Sequence, residues 1–421
     1  MNIIIGAGIT GLSCGYFSKE PYIIFEKENT VGGLCKSVKE NGFTFDCSGH
    51  FLHIKNIKIK NLTEKLLGQK LLKIKRKSAI LFKDKVIPFP FQTNLCYLDE
   101  KEKKECIEGI RNRKNIKIYN DMPFAEWAET TFGKGITKYF MRPYNQKLWN
   151  CNLKQLTAAW TAPFVPKPSV KEIEQSAYKK AKKEYGYNGI FYYPKSGGCQ
   201  TIVNGFYKKV KNNVFLNTKT EKIDFKNKRI LAGGKYYFYD KLISTQPLRE
   251  LLLQTENLPK NISSLIKNLE YTTTRCINIG IKYRKDLPEI LKNIHWLYVP
   301  EKKYPFYRVG VYSNISPFAA PKKCFGLYIE TTDLNCNREN LITVLKETGI
   351  IRDDDRILSF NTIDMKYAYV IYNKERNATL KAINKFLNEN NIFSIGRYGG
   401  WEYSFMERNI IDAKNIYGNI K

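Results

Sequence analysis

The chain has 421 residues, 43% hydrophobic and 26% charged, and a formal net charge of +30. That length exceeds one simple core and predicts two or three domains, and the hydrophobic and charged fractions read as globular and soluble, not disordered. The lysines are dispersed and no nucleic-acid motif accompanies them. The charge therefore reads as solvated faces with some attraction for nucleotides and anionic lipid head groups, and nucleic acid is not an expected partner.

The chain opens on a strand, "NIII", followed by "GAGITG", a helix to about Lys19 and a second strand, "YIIFE". This is the start of a βαβ unit, and with no basic region or cleavage site before it no signal peptide is expected. Gly6, Gly8 and Gly11 permit a tight turn, a close approach of backbone to a pyrophosphate, and close packing of helix on strand. Glu26 ends the second strand, where an acid accepts ribose hydroxyls. "ENTVGGLCKSVKENGFTFDCSGHF" follows, with Gly32 and Gly33 as a second close approach and "FTFD" leading to Ser48, Gly49 and His50. From about residue 60 to 185 the pattern is mainly helical, as in "NIKIKNLTEKLLGQ", "DEKEKKECIEGIRN", "PFAEWAETTFGKGITKYFMRPYNQKLW" and "VKEIEQSAYKKAKKEYG". Short strands return from Phe191, and "NVFLNTKTEKIDFKNKRILAGGKYYFYDKLISTQ" has the alternation of a meander. Strands dominate from Tyr271 to about Met365, with a short helix near "RENLITVLKETG", and "NIFSIGRYGGW" is a strand entering a terminal helix. No apolar run reaches the eighteen residues of a membrane span.

His50 and His53 stand in H-x-x-H spacing, but the only other histidine is His295 and no ligand cluster surrounds them. A metal is not expected, and hydrolase triads lack the bases they need. His53 reads as structural. The ten cysteines form no C-x-x-C pair, so neither a zinc site nor a disulfide framework is expected, and a reducing, cytoplasmic setting fits. In "KKYPFYRVGVYSNISPF", alternation turns Phe306, Arg308, Gly310 and Tyr312 to one face and Tyr307, Val309 and Val311 to the other. Arg308 has no acidic partner in that stretch and needs an anion or an aromatic plane.

The glycine turn, the "GG" segment, "SGH" and "SIGRYGGW" together resemble FAD-dependent oxidoreductases of the amine-oxidase-like type. Beside that motif His50 reads as a neighbour of the isoalloxazine. Longer blocks are more specific: "VIPFPFQTN", "FAEWAETTFGKGITKYFMRPYNQKLW", "YNGIFYYPKSGGCQTI", "HWLYVPEKKYPFYRVGVYSNISP", "YAYVIYNKER" and "GRYGGWEYSFM" resemble the UDP-galactopyranose mutases, the eukaryotic branch more than the bacterial one. The resemblance implies an α/β fold in which a Rossmann-like FAD-binding domain carries an inserted helical domain and an antiparallel-sheet substrate domain. The segments would be 1–60, 189–260 and 391–421 for FAD, 61–188 for the helical part and 261–390 for the substrate sheet. It also implies redox-neutral chemistry, in which N5 of reduced FAD attacks the anomeric carbon and displaces the nucleoside diphosphate, with NADPH or NADH as reductant.

By the same resemblance Arg308 grips the substrate pyrophosphate, and Arg397, beside Gly396, lies close to flavin and sugar. Trp296, Tyr298, Tyr369 and Tyr403 approach the nucleotide and its phosphates; without the resemblance the first two read as core. Asn145 and Trp149 cover the nucleotide-sugar cleft together with Met141, Asn188 faces the sugar, and Phe89 and Gln92 match a uracil-contacting segment. Arg76 matches an arginine linked to NADPH or is surface. The family's second pyrophosphate arginine is absent: Phe164 stands there, with Lys167 the nearest cation, and the asparagine-containing insertion after "EYSFM" is missing. Another nucleotide sugar (GDP-, deoxyhexose- or heptose-linked) is therefore an alternative substrate. A conventional FAD-dependent oxidase or desaturase is an alternative activity, and a basic nucleotide- or membrane-binding protein with a degenerate flavin site is a third. The expected product is a furanose donor for surface glycan such as capsule or lipopolysaccharide. The expected partner is a nucleotide diphosphate sugar, with a peripheral place at the inner membrane surface and a homodimer as further options.

Overall fold

A computed structural model describes residues 1–114, 116–119, 121–180 and 189–418. Two sheets organise them. The first has five parallel strands, in the spatial order Ile392–Ser394, Lys241–Ser244, Asn2–Ile5, Tyr22–Phe25 and Val214–Phe215. Asn2–Ile5 is buried along its whole length, as a central parallel strand covered on both faces must be. The helix Ile9–Phe17 buries seven of its nine residues, and it packs between the C-terminal helix Met406–Gly418 and the helix Gln200–Val210. Gly11 makes that packing close: a Cβ there would lie 1.9 Å from the carbonyl oxygen of Gly6.

The second sheet has seven strands, ordered Arg356–Val370, Tyr271–Lys282, Cys324–Thr331, Arg308–Val311, Trp296–Tyr298, Ser78–Phe82 and Lys85–Pro88. All neighbours are antiparallel except Trp296–Tyr298 with Ser78–Phe82, which run parallel. Val309, Val311, Leu327 and Ile329 face one core, which is closed by Leu341 and Leu345 of the helix Arg338–Glu347. Trp296, Tyr328 and the neighbouring aromatics face the larger core on the other side.

Two sequence readings change here. The segment from about 60 to 185 carries the predicted helices Ile57–Leu67, Glu100–Arg111, Phe124–Ile136 and Arg142–Trp149. It also sends Ser78–Phe82 and Lys85–Pro88 into the seven-stranded sheet, and Leu72–Lys75 pairs with Ile190–Tyr193. It is woven into the sheet as well as standing on it. The alternation around Arg308 holds from 308 onward but breaks before it. Phe306 joins Val309 in the far core and Tyr307 turns to the near one, because the amide of Tyr307 already bonds to the carbonyl of Glu330, the residue paired with Arg308.

The meander reading is split between two structures. Thr220–Asp224, Arg229–Ala232 and Lys235–Phe238 form a three-stranded antiparallel sheet, while Val214–Phe215 and Lys241–Ser244 belong to the parallel one. The end of "VKEIEQSAYKKAKKEYG" and Asn188 lie outside the described residues. Among the described residues no helix is long and apolar enough to cross a membrane.

Candidate active site

A cavity of about 820 Å³ runs from the C-terminal ends of the parallel strands to the inner face of the seven-stranded sheet. At the parallel-sheet end Gly6, Gly8, Gly32 and Gly33 line it together with Glu26. Gly32 takes φ 130°, a conformation that L side chains rarely adopt. Gly11 and Gly396 do not line the wall; they stand behind it, where a Cβ at Gly396 would meet Thr10 at 2.6 Å. The Glu26 carboxylate accepts from the amides of Ala7 (2.7 Å) and Glu28 (3.0 Å), which holds it at the strand end, where ribose hydroxyls are read.

The middle of the wall is the loop Cys47–His50. Asp46 anchors its start, its carboxylate accepting from Ser37 Oγ (2.5 Å), Tyr193 OH (2.6 Å) and the Cys199 amide (3.0 Å). Burial raises the Asp46 pKa although these donors oppose it. His50 faces the cavity with Nδ1 buried and without a partner. Burial, then Arg397 and Arg308, push its pKa down to about 3, so the ring is neutral and serves as a hydrogen-bonding group.

Arg308 corrects the sequence reading: it has an acidic partner. Glu330, directly across the sheet, accepts from Nε (2.6 Å) and Nη2 (2.5 Å), and Ser48 Oγ donates to the same carboxylate. Glu330 is buried and the arginine side chain is 20% exposed. Two of the five N–H donors of the guanidinium are thus directed to one oxygen, and the rest of its fork remains on the cavity side.

Arg397 is held differently. Its Nη1 donates to the carbonyl of Ser404 (2.6 Å) and its Nη2 to that of Ala368 (2.9 Å), with the rings of Tyr403, Tyr398 and Tyr369 4.8, 5.6 and 5.7 Å away. Among the described residues no carboxylate accepts from it. A guanidinium surrounded by carbonyls, the Tyr398 hydroxyl and π-faces, with no carboxylate on it among the described residues, keeps its positive field in the cavity.

The far end is aromatic and amide-rich. Phe89, Gln92, Asn145, Trp296, Tyr298, Tyr369 and Tyr403 line it. The rings of Phe89 and Tyr298 pack at 4.8 Å and those of Phe164 and Tyr403 at 4.2 Å, tilted by 35° and 38°. Three buried polar atoms here have no partner among the described residues: Gln92 Oε1, Trp160 Nε1 and Trp296 Nε1. Such atoms cost free energy unless a ligand satisfies them. Three expected residues are not at the wall. Trp149 is fully buried behind it and donates from Nε1 to Asn145 Oδ1 (3.3 Å), so it supports the asparagine. Arg76 stacks over Phe89 at 5.0 Å, outside the lining. Lys167 lies 5.1 Å over Trp127 and does not replace the missing arginine.

Sequence reasoning missed Glu330, Trp160, Tyr328 and Tyr144. Tyr328 lies over Gly310, where a Cβ would come within 1.8 Å of its ring. That glycine, opposite an aromatic in a strand, was the available signal.

The glycine cradle and the ribose-reading acid, with the partnerless Nδ1 of His50 beyond them, fit a flavin dinucleotide. Residues 19–314, well over half of the chain, match the family described as flavin containing amine oxidoreductase. The chain belongs to that family, and FAD is its cofactor. Its fold is similar to that of a reduced UDP-galactopyranose mutase, with TM-score 0.91 and 27% identity, covering 100% of this chain and 93% of that one. It is also similar to a protoporphyrinogen oxidase candidate from Exiguobacterium sp. 255-15 (TM-score 0.77, 16% identity, 100% and 98% covered). Putrescine oxidase bound to putrescine gives a TM-score of 0.67 at 12% identity, with 100% and 98% covered. These last two likenesses concern the fold alone.

Proposed function

We propose that this protein is a flavin-dependent mutase that interconverts the pyranose and furanose forms of a nucleotide diphosphate sugar. The observation that carries the reading is the pair of guanidiniums facing one cavity: Arg308 held by Glu330 and Arg397 held by no carboxylate among the described residues, both contiguous with the dinucleotide cradle. The full-length likeness to a UDP-galactopyranose mutase supports it.

Reduced FAD, when bound, supplies an electron-rich nucleophile for the anomeric carbon and ends the cycle at its starting oxidation level. The chain's own groups do the rest. Arg308 offers forked donors to a diphosphate and offsets the charge that grows on it as the glycosidic C–O bond breaks. Tyr369 and Tyr403 stand within reach of the same phosphates, and neutral His50 offers a hydrogen bond without a competing charge. Gln92 Oε1 offers an acceptor to the N–H of a base, and the ring of Phe89 or Tyr298 offers it a face. A nicotinamide dinucleotide is the reductant.

The test is anaerobic reduction with dithionite, followed by chromatography of candidate nucleotide sugars, UDP-galactose first. Furanose and pyranose should interconvert only in reduced enzyme, without peroxide. Turnover by oxidised enzyme with stoichiometric peroxide would establish an oxidase instead. Arg308→Ala should lower nucleotide-sugar affinity by roughly two orders of magnitude while the flavin stays bound.

A further inference from the structure

Lys147 takes no part in the cavity lining, yet it joins two of its walls. It sits on the helix Arg142–Trp149, whose Tyr144, Asn145 and Leu148 face the cavity. Its Nζ donates to the carbonyls of Val299 (2.9 Å), Glu301 (2.9 Å) and Phe306. All three lie on the turn that connects Trp296–Tyr298 to Arg308–Val311. Burial lowers the Lys147 pKa to about 7, and in its ammonium form each of the three N–H donors has a carbonyl. The turn is also closed by the amide of Val299 on the carbonyl of Tyr307 (2.9 Å), and its tip is tied to the sheet by Thr331 Oγ1 on the Pro305 carbonyl (2.5 Å) and by the Lys83 amide on the Glu301 carboxylate (3.1 Å); of these contacts only those of Lys147 reach the helix. The helix in turn is pinned to the sheet, since Thr332 Oγ1 donates to the Lys147 carbonyl (2.8 Å).

We infer that Lys147 is a positioning residue that sets Arg308 and Tyr298 against the helix carrying Tyr144 and Asn145, and so fixes the width of the diphosphate end of the cavity. The ring of Tyr144 meets that of Tyr298 edge-on at 5.3 Å, so a displaced turn would move both sides of this contact. The inference rests on the proposed reading of that end as the substrate site.

The test compares holoenzyme of wild type, Lys147→Met, Arg308→Ala and the double variant, titrated with UDP and assayed with UDP-galactose. Lys147→Met keeps the apolar stem and removes the donors. It should raise KM and the Kd for UDP about tenfold, with kcat changed less than about twofold. In the Arg308→Ala background it should add little, because the group it positions is gone. Equal effects in both backgrounds, or an unchanged Kd, would overturn the inference. If Lys147→Met yields no holoenzyme, Lys147→Gln, which keeps two donors, carries the same comparison. Hydrogen exchange at the amides of 299–307 separates the two readings. If wild type neither binds nor converts a nucleotide sugar, faster exchange in the variant sustains the clamp while the mutase reading falls; unchanged exchange sinks the clamp as well.

Discussion

The two cavity arginines differ in what neutralises them, and that difference is measurable. Glu330 is buried against Arg308, so removing the carboxylate alone leaves a guanidinium uncompensated at low dielectric. Glu330→Ala should cost about 3–5 kcal/mol in urea unfolding. An Arg308→Met/Glu330→Leu double variant should lose much less, and equal losses would show that the pair is not coupled. The histidines give a second residue-scale prediction. Burial pushes His50 to about 3, His53 to about 4 and His295 to about 4, all below the free imidazole value of about 6.5. The unfolded chain therefore takes up protons first. Their contribution is complete above pH of about 6.5 and is lost as pH falls towards 4, by up to about 1.4 kcal/mol per histidine per pH unit. Asp412, raised to about 6 by burial, takes up its proton in the folded state as pH falls through that value and so offsets part of the histidine loss over the same window; Asp46, also raised by burial, acts in the same sense as Asp412. Melting temperature should thus fall between pH 7 and 6, less steeply in His53→Phe; a flat profile in wild type would contradict the assignment.

Among the elements, those whose identity is written locally were legible. The glycine turn, Glu26 at a strand end, and the helix carrying Asn145 follow from periodicity and from residues a few positions apart. What depends on pairing across long separations was not. Glu330 is placed opposite Arg308 by a register set across 22 residues, and Ser78–Phe82 finds Trp296–Tyr298 from more than 200 residues away. The resemblance places Trp149 at the cleft with Asn145, one helical turn away, but a one-turn repeat does not say which of two neighbouring side chains reaches the wall. The helix–strand contact at Gly11 supplies a test at this scale. Gly11→Ala places a methyl on the Gly6 carbonyl, so the helix must move off the strand. The ratio of flavin absorbance to protein should fall severalfold or more; retention of full flavin would show that the helix can shift at little cost.

For the whole molecule, the charge of +30 is spread over a surface into which opens a cavity lined by two guanidiniums. Such a field accelerates encounter with an anionic ligand and is screened by salt, over a Debye length of about 8 Å at physiological ionic strength. For a nucleotide diphosphate sugar, kcat/KM should decline several-fold between low and about 0.5 M salt while kcat holds. A salt-independent kcat/KM would mean that encounter is not guided by charge.

The order of strands in the parallel sheet has a consequence for biosynthesis. One edge is Ile392–Ser394, and the next strands inward come from residues 241–244 and 2–5. The first and last stretches of the chain therefore build one floor beneath the glycine cradle. A polypeptide that stops short of residue 392 can mature the meander and much of the seven-stranded sheet, but not this floor. A premature stop codon anywhere before residue 392 should therefore yield a colourless product.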